Sequence, residues 1–261
     1  MILAVLYRWI AEEVGWKQSF FIGSALFLHN CAGALVMKRY EKSGLGIGKC
    51  SGKNDPNEQW GLFKNVSFIF ILAYVFFHGG TKSGVMVFQP SLSDQNGINP
   101  LSKAALMTLL SSFDLIGRFI WSLISLIKGV RSKLCIVLFL NELCLGIASI
   151  SLYASSSFLE IACSSAFFGL CFGSWRTLYF SLIGEVVPSK DMPLAIGAQF
   201  ALQAISMLAV PQIAGQLSRA YEPPDISAVF WLFAIFFFIS AAILFVLCAL
   251  TIKKRNSSTF A

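Results

Sequence analysis

The sequence predicts an all-α membrane protein that crosses the bilayer several times, and three observations predict it. Of 261 residues, 56% are hydrophobic and 13% are charged, against about 25% charged in an ordinary soluble domain. Mean hydropathy is +0.72. The apolar residues gather into runs long enough for a helix to cross a hydrocarbon core, which takes about 20 residues. The net charge of +7 does not signal nucleic acid, because the basic residues sit in short loops between apolar spans.

Met1–Ile10 is too short to span and reads as the tail of a span. It lacks the basic start and small-residue cleavage site of a signal peptide. Residues 11–17 form a polar turn. Ser19–Met37 is a full span, with His29 and Asn30 as polar interruptions. Lys38–Lys64 is a polar, glycine-rich loop. A span from Val66 to about Phe88 is interrupted by His78-Gly79-Gly80-Thr81-Lys82, and residues 89–100 read as a loop. Further spans are expected at 102–127, 134–153, 159–183, 193–217 and 226–252. Residues 253–261 read as a polar tail.

Orientation follows from loop charge. Lys38, Arg39, Lys42, Lys49, Lys53, Lys64, Lys128, Arg131, Lys133, Lys190, Lys253, Lys254 and Arg255 fall on one side if the spans alternate. The opposite side holds Lys17, Lys103, Arg219 and Arg8. The positive-inside rule places loop 38–64 and the tail in the cytosol. The long basic loop also divides the chain. Six spans follow it, which is one half of a major-facilitator transporter. The expected organisation is therefore 1–37 as the end of one half, 38–64 as a cytosolic linker, 65–252 as a six-helix half and 253–261 as the tail.

Charges inside spans are the candidates for chemistry, since each costs about 2.5–3.5 kcal/mol at the bilayer centre unless paired or wetted. Asp114 and Arg118 are four apart and share a helical face. An arginine fork suits a small carboxylate. The aspartate could hold the arginine when no substrate is bound and take a proton when substrate displaces it. A purely structural ion pair is the other reading. His78 and Lys82 are also four apart. With Gly79, Gly80 and Gly84 beside them they suggest a broken helix at an anion or proton site. Alternatively the span ends near His78 and Lys82 sits in a wet entrance. Arg176 either faces a cavity or snorkels to the cytosolic surface. Gln199 and Gln203 share one face and either line a cavity or bond between helices. Glu142 reads as a lone acid paired inside the bundle. Gly169 and Gly173 have the spacing of close helix packing.

Six of the seven cysteines lie in apolar segments and read as small hydrophobes. Asn65-Val-Ser67 and Asn256-Ser-Ser258 match glycosylation sequons but fall on the expected cytosolic side. No phosphate loop, nucleophile elbow or metal cluster is present in the sequence, so the reading is not an enzyme, with no metal and no cofactor.

Several blocks together resemble the monocarboxylate transporter family, a branch of the major facilitators. Ser111-Ser-Phe-Asp114-Leu-Ile-Gly-Arg118 resembles that family's eighth-span motif. Val14-Gly15-Trp16-Lys17 is similar to its Tyr-Gly-Trp-Arg turn between spans five and six. Phe168 to Arg176 is similar to its glycine-rich tenth span. Leu194-Ala-Ile-Gly197 through Val210-Pro211-Gln-Ile-Ala-Gly215 resembles its eleventh. Two departures stand out. The family usually carries Pro directly after the span-eight arginine, where this chain has Phe119. Gly80-Thr-Lys82-Ser83-Gly84-Val85 looks like the family's first-span lysine pattern, displaced into the seventh span.

The resemblance implies a partial major-facilitator fold that begins near the end of span five, an incomplete form lacking spans one to four. It implies proton-coupled transport of small monocarboxylates such as lactate or pyruvate, by alternating access in the plasma membrane. Asp114 and Arg118 would bind substrate and proton, with Lys82, His78, Arg176, Gln199 and Gln203 as further candidates. The partners would be a small organic anion, a proton and the lipid bilayer. An ancillary membrane protein or a second copy of the chain would be added, with no nucleic acid. A non-transporting membrane protein or partner subunit, or a relative carrying another organic solute, stays open.

Overall fold

The computed structural model describes residues 60–127, 133–188, 191–221 and 225–259, with side chains from Gly61 to Leu250. All described secondary structure is helical. A short 3-10 helix, Trp60–Lys64, leads into α1 (Val66–Gln95). Then come α2 (Pro100–Ile124), α3 (Leu134–Ala154), α4 (Phe158–Val186), α5 (Met192–Arg219) and α6 (Ser227–Thr259). All six α-helices are long and apolar enough to cross a membrane.

The helix starts are written in the sequence. The Asn65 side chain accepts the Ser67 amide at 3.1 Å and caps α1, which gives that sequon residue a structural task. Asn99 accepts the Ser102 amide at 2.8 Å, and Pro100 opens α2. Ser157 and Glu160 form a full capping box on α4.

The helices pack in the order α2, α4, α3, α6, α1, α5, and α1 also touches α2 and α4. Three turns meet at one end of the bundle. The Asn96 amide donates to the Ser155 carbonyl at 3.3 Å, Gln95 bonds Asp225 at 3.1 Å, and Lys103 pairs with Asp94. The α1–α2, α3–α4 and α5–α6 turns therefore share a side, so successive helices alternate in direction. At the other end Ser125, Leu134, Ser181, Gly184 and Glu185 line a cavity of about 340 Å³.

Two apolar cores fill the bundle. One, around Phe168, Phe172, Phe230, Phe233 and Phe237, occupies the half near the three turns. The other, around Phe68, Ile71, Tyr74, Tyr179 and Leu182, occupies the opposite half. Between them each helix contributes polar groups at mid-depth. These include His78 and Lys82 on α1, Asp114 on α2, Glu142 on α3, Ser174 on α4, Gln199 and Gln203 on α5, and Ser240 on α6.

The structure corrects two expectations about α1. The helix is not broken at His78–Lys82; it runs without interruption to Gln95, so residues 89–95 are helix rather than loop. The glycines there serve close approach. A Cβ on Gly80 would lie 2.7 Å from the Ser206 carbonyl oxygen of α5, and one on Gly79 2.7 Å from Gln203 Cγ. Nor is Lys82 in a wet entrance, since it is buried. At the far end, α6 continues as helix to Thr259 instead of ending at 252. The expected stump, turn, first span and most of loop 38–64 lie outside the described residues, as do Cys31 and Cys50.

Candidate functional site

The α2–α4 crossing positions the first pair. Gly117 of α2 and Gly169 and Gly173 of α4 bring the two backbones together. A Cβ on Gly117 would lie 2.5 Å from the Leu170 carbonyl oxygen, and one on Gly173 2.6 Å from the Arg118 amide nitrogen. This is small-residue packing of the kind the Gly169–Gly173 spacing suggests. It holds the Asp114–Arg118 turn flat against α4. Asp114 and Arg118 form an ion pair on one face of α2. The Asp114 side chain is 12% exposed and that of Arg118 40%. Asp114 Oδ1 and Arg118 Nε are buried without a hydrogen-bond partner among the described residues. Phe119 stands where the resembled family has proline, and α2 passes through it as unbroken helix.

Lys82 approaches from α1. Its Nζ lies 4.8 Å from the centroid of the Phe172 ring and 6.0 Å from that of Trp175, both on α4. Aromatic faces attract a cation at these separations and partly replace its lost water. Lys82 is also in electrostatic reach of Asp114, Arg176 and Arg118. Arg176 is half-buried, with its Nε unpartnered among the described residues. It sits ten residues before Val186, about 15 Å from the helix end, which is mid-depth. Cations from α2 and α4 and the acid Asp114 thus surround Lys82 of α1.

His78 faces elsewhere although it is one turn from Lys82. Its Nδ1 lies 2.8 Å from Glu142 Oε1 on α3, and its ring stacks on Trp175 at 4.1 Å. Tyr74 donates to the same Glu142 oxygen at 2.8 Å, and Ser240 of α6 to the other at 2.6 Å. Glu142 is therefore the centre of a fully buried knot joining α1, α3 and α6. Burying a carboxylate is tolerable when donors of this number surround it.

Gln203 packs against Gly79, which places α5 beside His78. Gln199 is buried, and its Oε1 has no partner among the described residues. Ser174 donates to Asn141 at 2.5 Å within the same layer. Of the residues expected from sequence, the structure gathers Asp114, Arg118, Lys82 and Arg176 in one electrostatic group. It assigns His78 to the Glu142 knot, puts Gln203 on the α1–α5 contact and leaves Gln199 buried on α5. Sequence reasoning passed over Tyr74, Asn141, Ser174 and Ser240 as site neighbours. Serines and a tyrosine inside apolar spans carry no signal until the helices are paired.

Comparison with known proteins gives consistent results. A family model described as Major Facilitator Superfamily matches residues 1–211 and 71–261. Monocarboxylate transporter 2 of Rattus norvegicus is 23% identical over 235 residues, covering 82% of this chain and 48% of its own. Monocarboxylate transporter 1 of Bos taurus is 23% identical over 270 residues, covering 89% of this chain and 53% of its own. Monocarboxylate transporter 4 of Gallus gallus is 24% identical over 227 residues, covering 82% and 46%. The chain thus spans about half the length of the curated relatives it matches.

Proposed function

The chain belongs to the Major Facilitator Superfamily, and we propose that it serves proton-coupled transport of small monocarboxylates across the plasma membrane by alternating access. The observation that carries this reading is the charge imbalance at mid-depth. Lys82 has the cations Arg118 and Arg176 and the acid Asp114 in electrostatic reach, with Asp114 already paired to Arg118, and a small organic anion supplies further negative charge. Arg118 is the binding fork, being the more exposed partner of its pair. Asp114 holds Arg118 when no anion is bound and takes the proton once the anion displaces it. Lys82, held against Phe172, supplies positive potential without moving far.

Segments 1–37, 38–64, 65–252 and 253–261 are then the end of the first half, the cytosolic linker, the second half and the cytosolic tail. The relatives' names support the substrate class, and the placement of basic loop residues supports the orientation.

Uptake of labelled lactate or pyruvate in cells producing the protein tests the reading. Saturable uptake that rises as external pH falls is expected, and Arg118→Ala should cut it by at least about tenfold at unchanged membrane levels. Undiminished uptake by that variant removes the site, and absent uptake in the unaltered protein removes the function.

A further inference from the structure

The Glu142 knot has the parts of a proton site as well as those of a joint. Glu142 and His78 are fully buried and joined at 2.8 Å through Nδ1 and Oε1. The second imidazole nitrogen, Nε2, has no hydrogen-bond partner among the described residues. The Ser240 hydroxyl has one hydrogen and two acceptors, Glu142 Oε2 at 2.6 Å and the Phe237 carbonyl at 2.8 Å. An imidazole bonded to a carboxylate at one nitrogen and free at the other can pass a proton through itself. A hydroxyl with a spare acceptor lets the carboxyl change charge without stranding a donor.

We propose that the Glu142–His78 pair is a reversible proton site that loads in step with the anion site. A proton binds His78 Nε2. The Nδ1 proton passes to Glu142 Oε1, leaving the imidazole neutral in its other tautomer and the carboxyl neutral. One proton enters and one negative charge disappears. Tyr74 keeps its bond to Oε1, and Ser240 can turn to Phe237.

The link to the anion runs along α1 and through Trp175, whose ring lies 4.1 Å from that of His78 and 6.0 Å from Lys82 Nζ. The groups facing the pair are few. Tyr74 and, one turn on, Lys82 come from α1. Cys171 and Tyr179 come from α4. Ser240 comes from α6 and uncharged Gln203 from α5, while Cys144 lies on the pair's own helix. An anion that offsets the charge of Lys82 leaves less positive potential beside Trp175 and His78, and a proton enters as its counterpart. Reciprocally, a protonated pair leaves more positive potential for the anion.

The inference rests on anion transport as proposed above, and the variants separate the two. In Glu142→Gln the amide nitrogen, placed at the Oε1 position, can donate to His78 Nδ1 and to the Tyr74 hydroxyl, and the amide oxygen can accept from Ser240, mimicking the protonated acid. Infrared difference spectra of the purified chain in lipid should show a carboxylic-acid carbonyl band on adding lactate. One component of the band, separate from that of Asp114, should survive Asp114→Asn and vanish in Glu142→Gln. In uptake, KM should change by up to about a hundredfold per pH unit when Asp114 and the Glu142–His78 pair each take a proton with the anion. That change should fall to no more than about tenfold in Glu142→Gln, with anion exchange retained. A band or pH profile unaltered in Glu142→Gln overturns the inference and leaves the transport reading standing. Absent lactate binding in the unaltered protein overturns both. If Glu142→Gln does not fold, heavy-carbon labelling of glutamate carboxyls in the unaltered protein decides. A band that shifts supports Glu142, and one that stays put overturns it.

Discussion

Two regions of this bundle use the same ingredients and finish them differently. In the Glu142 knot one carboxylate meets three side-chain partners from two other helices, all fully buried. In the Asp114 cluster one carboxylate pairs with Arg118, Lys82 lies in reach of it and of Arg118 and Arg176, and buried polar atoms of Asp114, Arg118 and Arg176 stay unpartnered among the described residues. The knot satisfies its acid internally and ties α1, α3 and α6 together. The cluster carries surplus positive charge on the half-open face of α2. Where polar groups are complete, their loss should be felt in the fold. Where they are incomplete, it should be felt in binding.

The largest effect should come from breaking the knot. Glu142→Ala strands Tyr74, His78 and Ser240 in the core, and each buried group left without its partner costs about 1–3 kcal/mol. Thermal unfolding of the purified protein should show a large drop in midpoint, and little protein should reach the membrane. An unchanged midpoint would break the comparison at its first term.

Arg118→Ala should do the reverse. Its side chain is 40% exposed, against a fully buried Glu142, so fewer packing contacts go with it. Stability should change little. A hydrogen bond to a charged group is worth about 1.5–3 kcal/mol, so lactate uptake should fall by roughly 10–150-fold. A variant that melts early yet transports normally would put Arg118 on the structural side.

A third variant tests what holds the cluster in place. A Cβ on Gly173 would meet the backbone of α2 at Asp114 and Arg118. Gly173→Ala should force α2 from α4, with an overpacking cost of about 1–3 kcal/mol and a loss of uptake. Gly197, with open space around its Cα, is the control. Gly197→Ala should leave both readouts alone, and equal effects at the two positions would dismiss the crossing as the cause.

Much of this was legible along the chain and little of it across the chain. The six spans follow from apolar run length, and the starts of α1, α2 and α4 from Asn65, Asn99-Pro100 and Ser157–Glu160. The Asp114–Arg118 contact is local, four residues apart on one helix. Glu142 pairs with a residue 64 positions away, and periodicity carries no information about which helix lies opposite. The glycines of α1 misled for a related reason. In isolation Gly79, Gly80 and Gly84 weaken a helix, but packed against Gln203, Val210 and Phe233 they admit neighbours that restore what propensity loses. The polar layer was visible one helix at a time, and only the two apolar cores on either side of it show that the pieces share a depth.

The smallest effect sharpens the comparison from outside the bilayer, where a third carboxylate sits. Asp225 lies in the α5–α6 turn and is half-buried. The Gln95 amide donates to it at 3.1 Å and the Ser227 amide at 2.9 Å, while Gln95 Oε1 accepts the Ile226 amide at 3.0 Å. The Gln95 hydrogen bond first, and the backbone bonds after it, hold its carboxyl below the usual carboxylate range. The sign follows from that direction. Folding favours the ionised form, so its contribution is fully present above the unfolded value near about 3.9. It is lost as pH falls through the lower folded value. Partial exposure keeps the contribution small. Amide exchange at Ile226 and Ser227, compared at pH about 6 and about 2 after correction for intrinsic rates, should lose part of its protection at the acid end. Asp225→Asn should flatten that loss. The melting midpoint should scarcely move in either case, because a carboxylate that water can reach has a ready substitute for every bond it gives up. A midpoint shift at Asp225 as large as the one at Glu142 would mean that depth in the bundle does not rank these three acids.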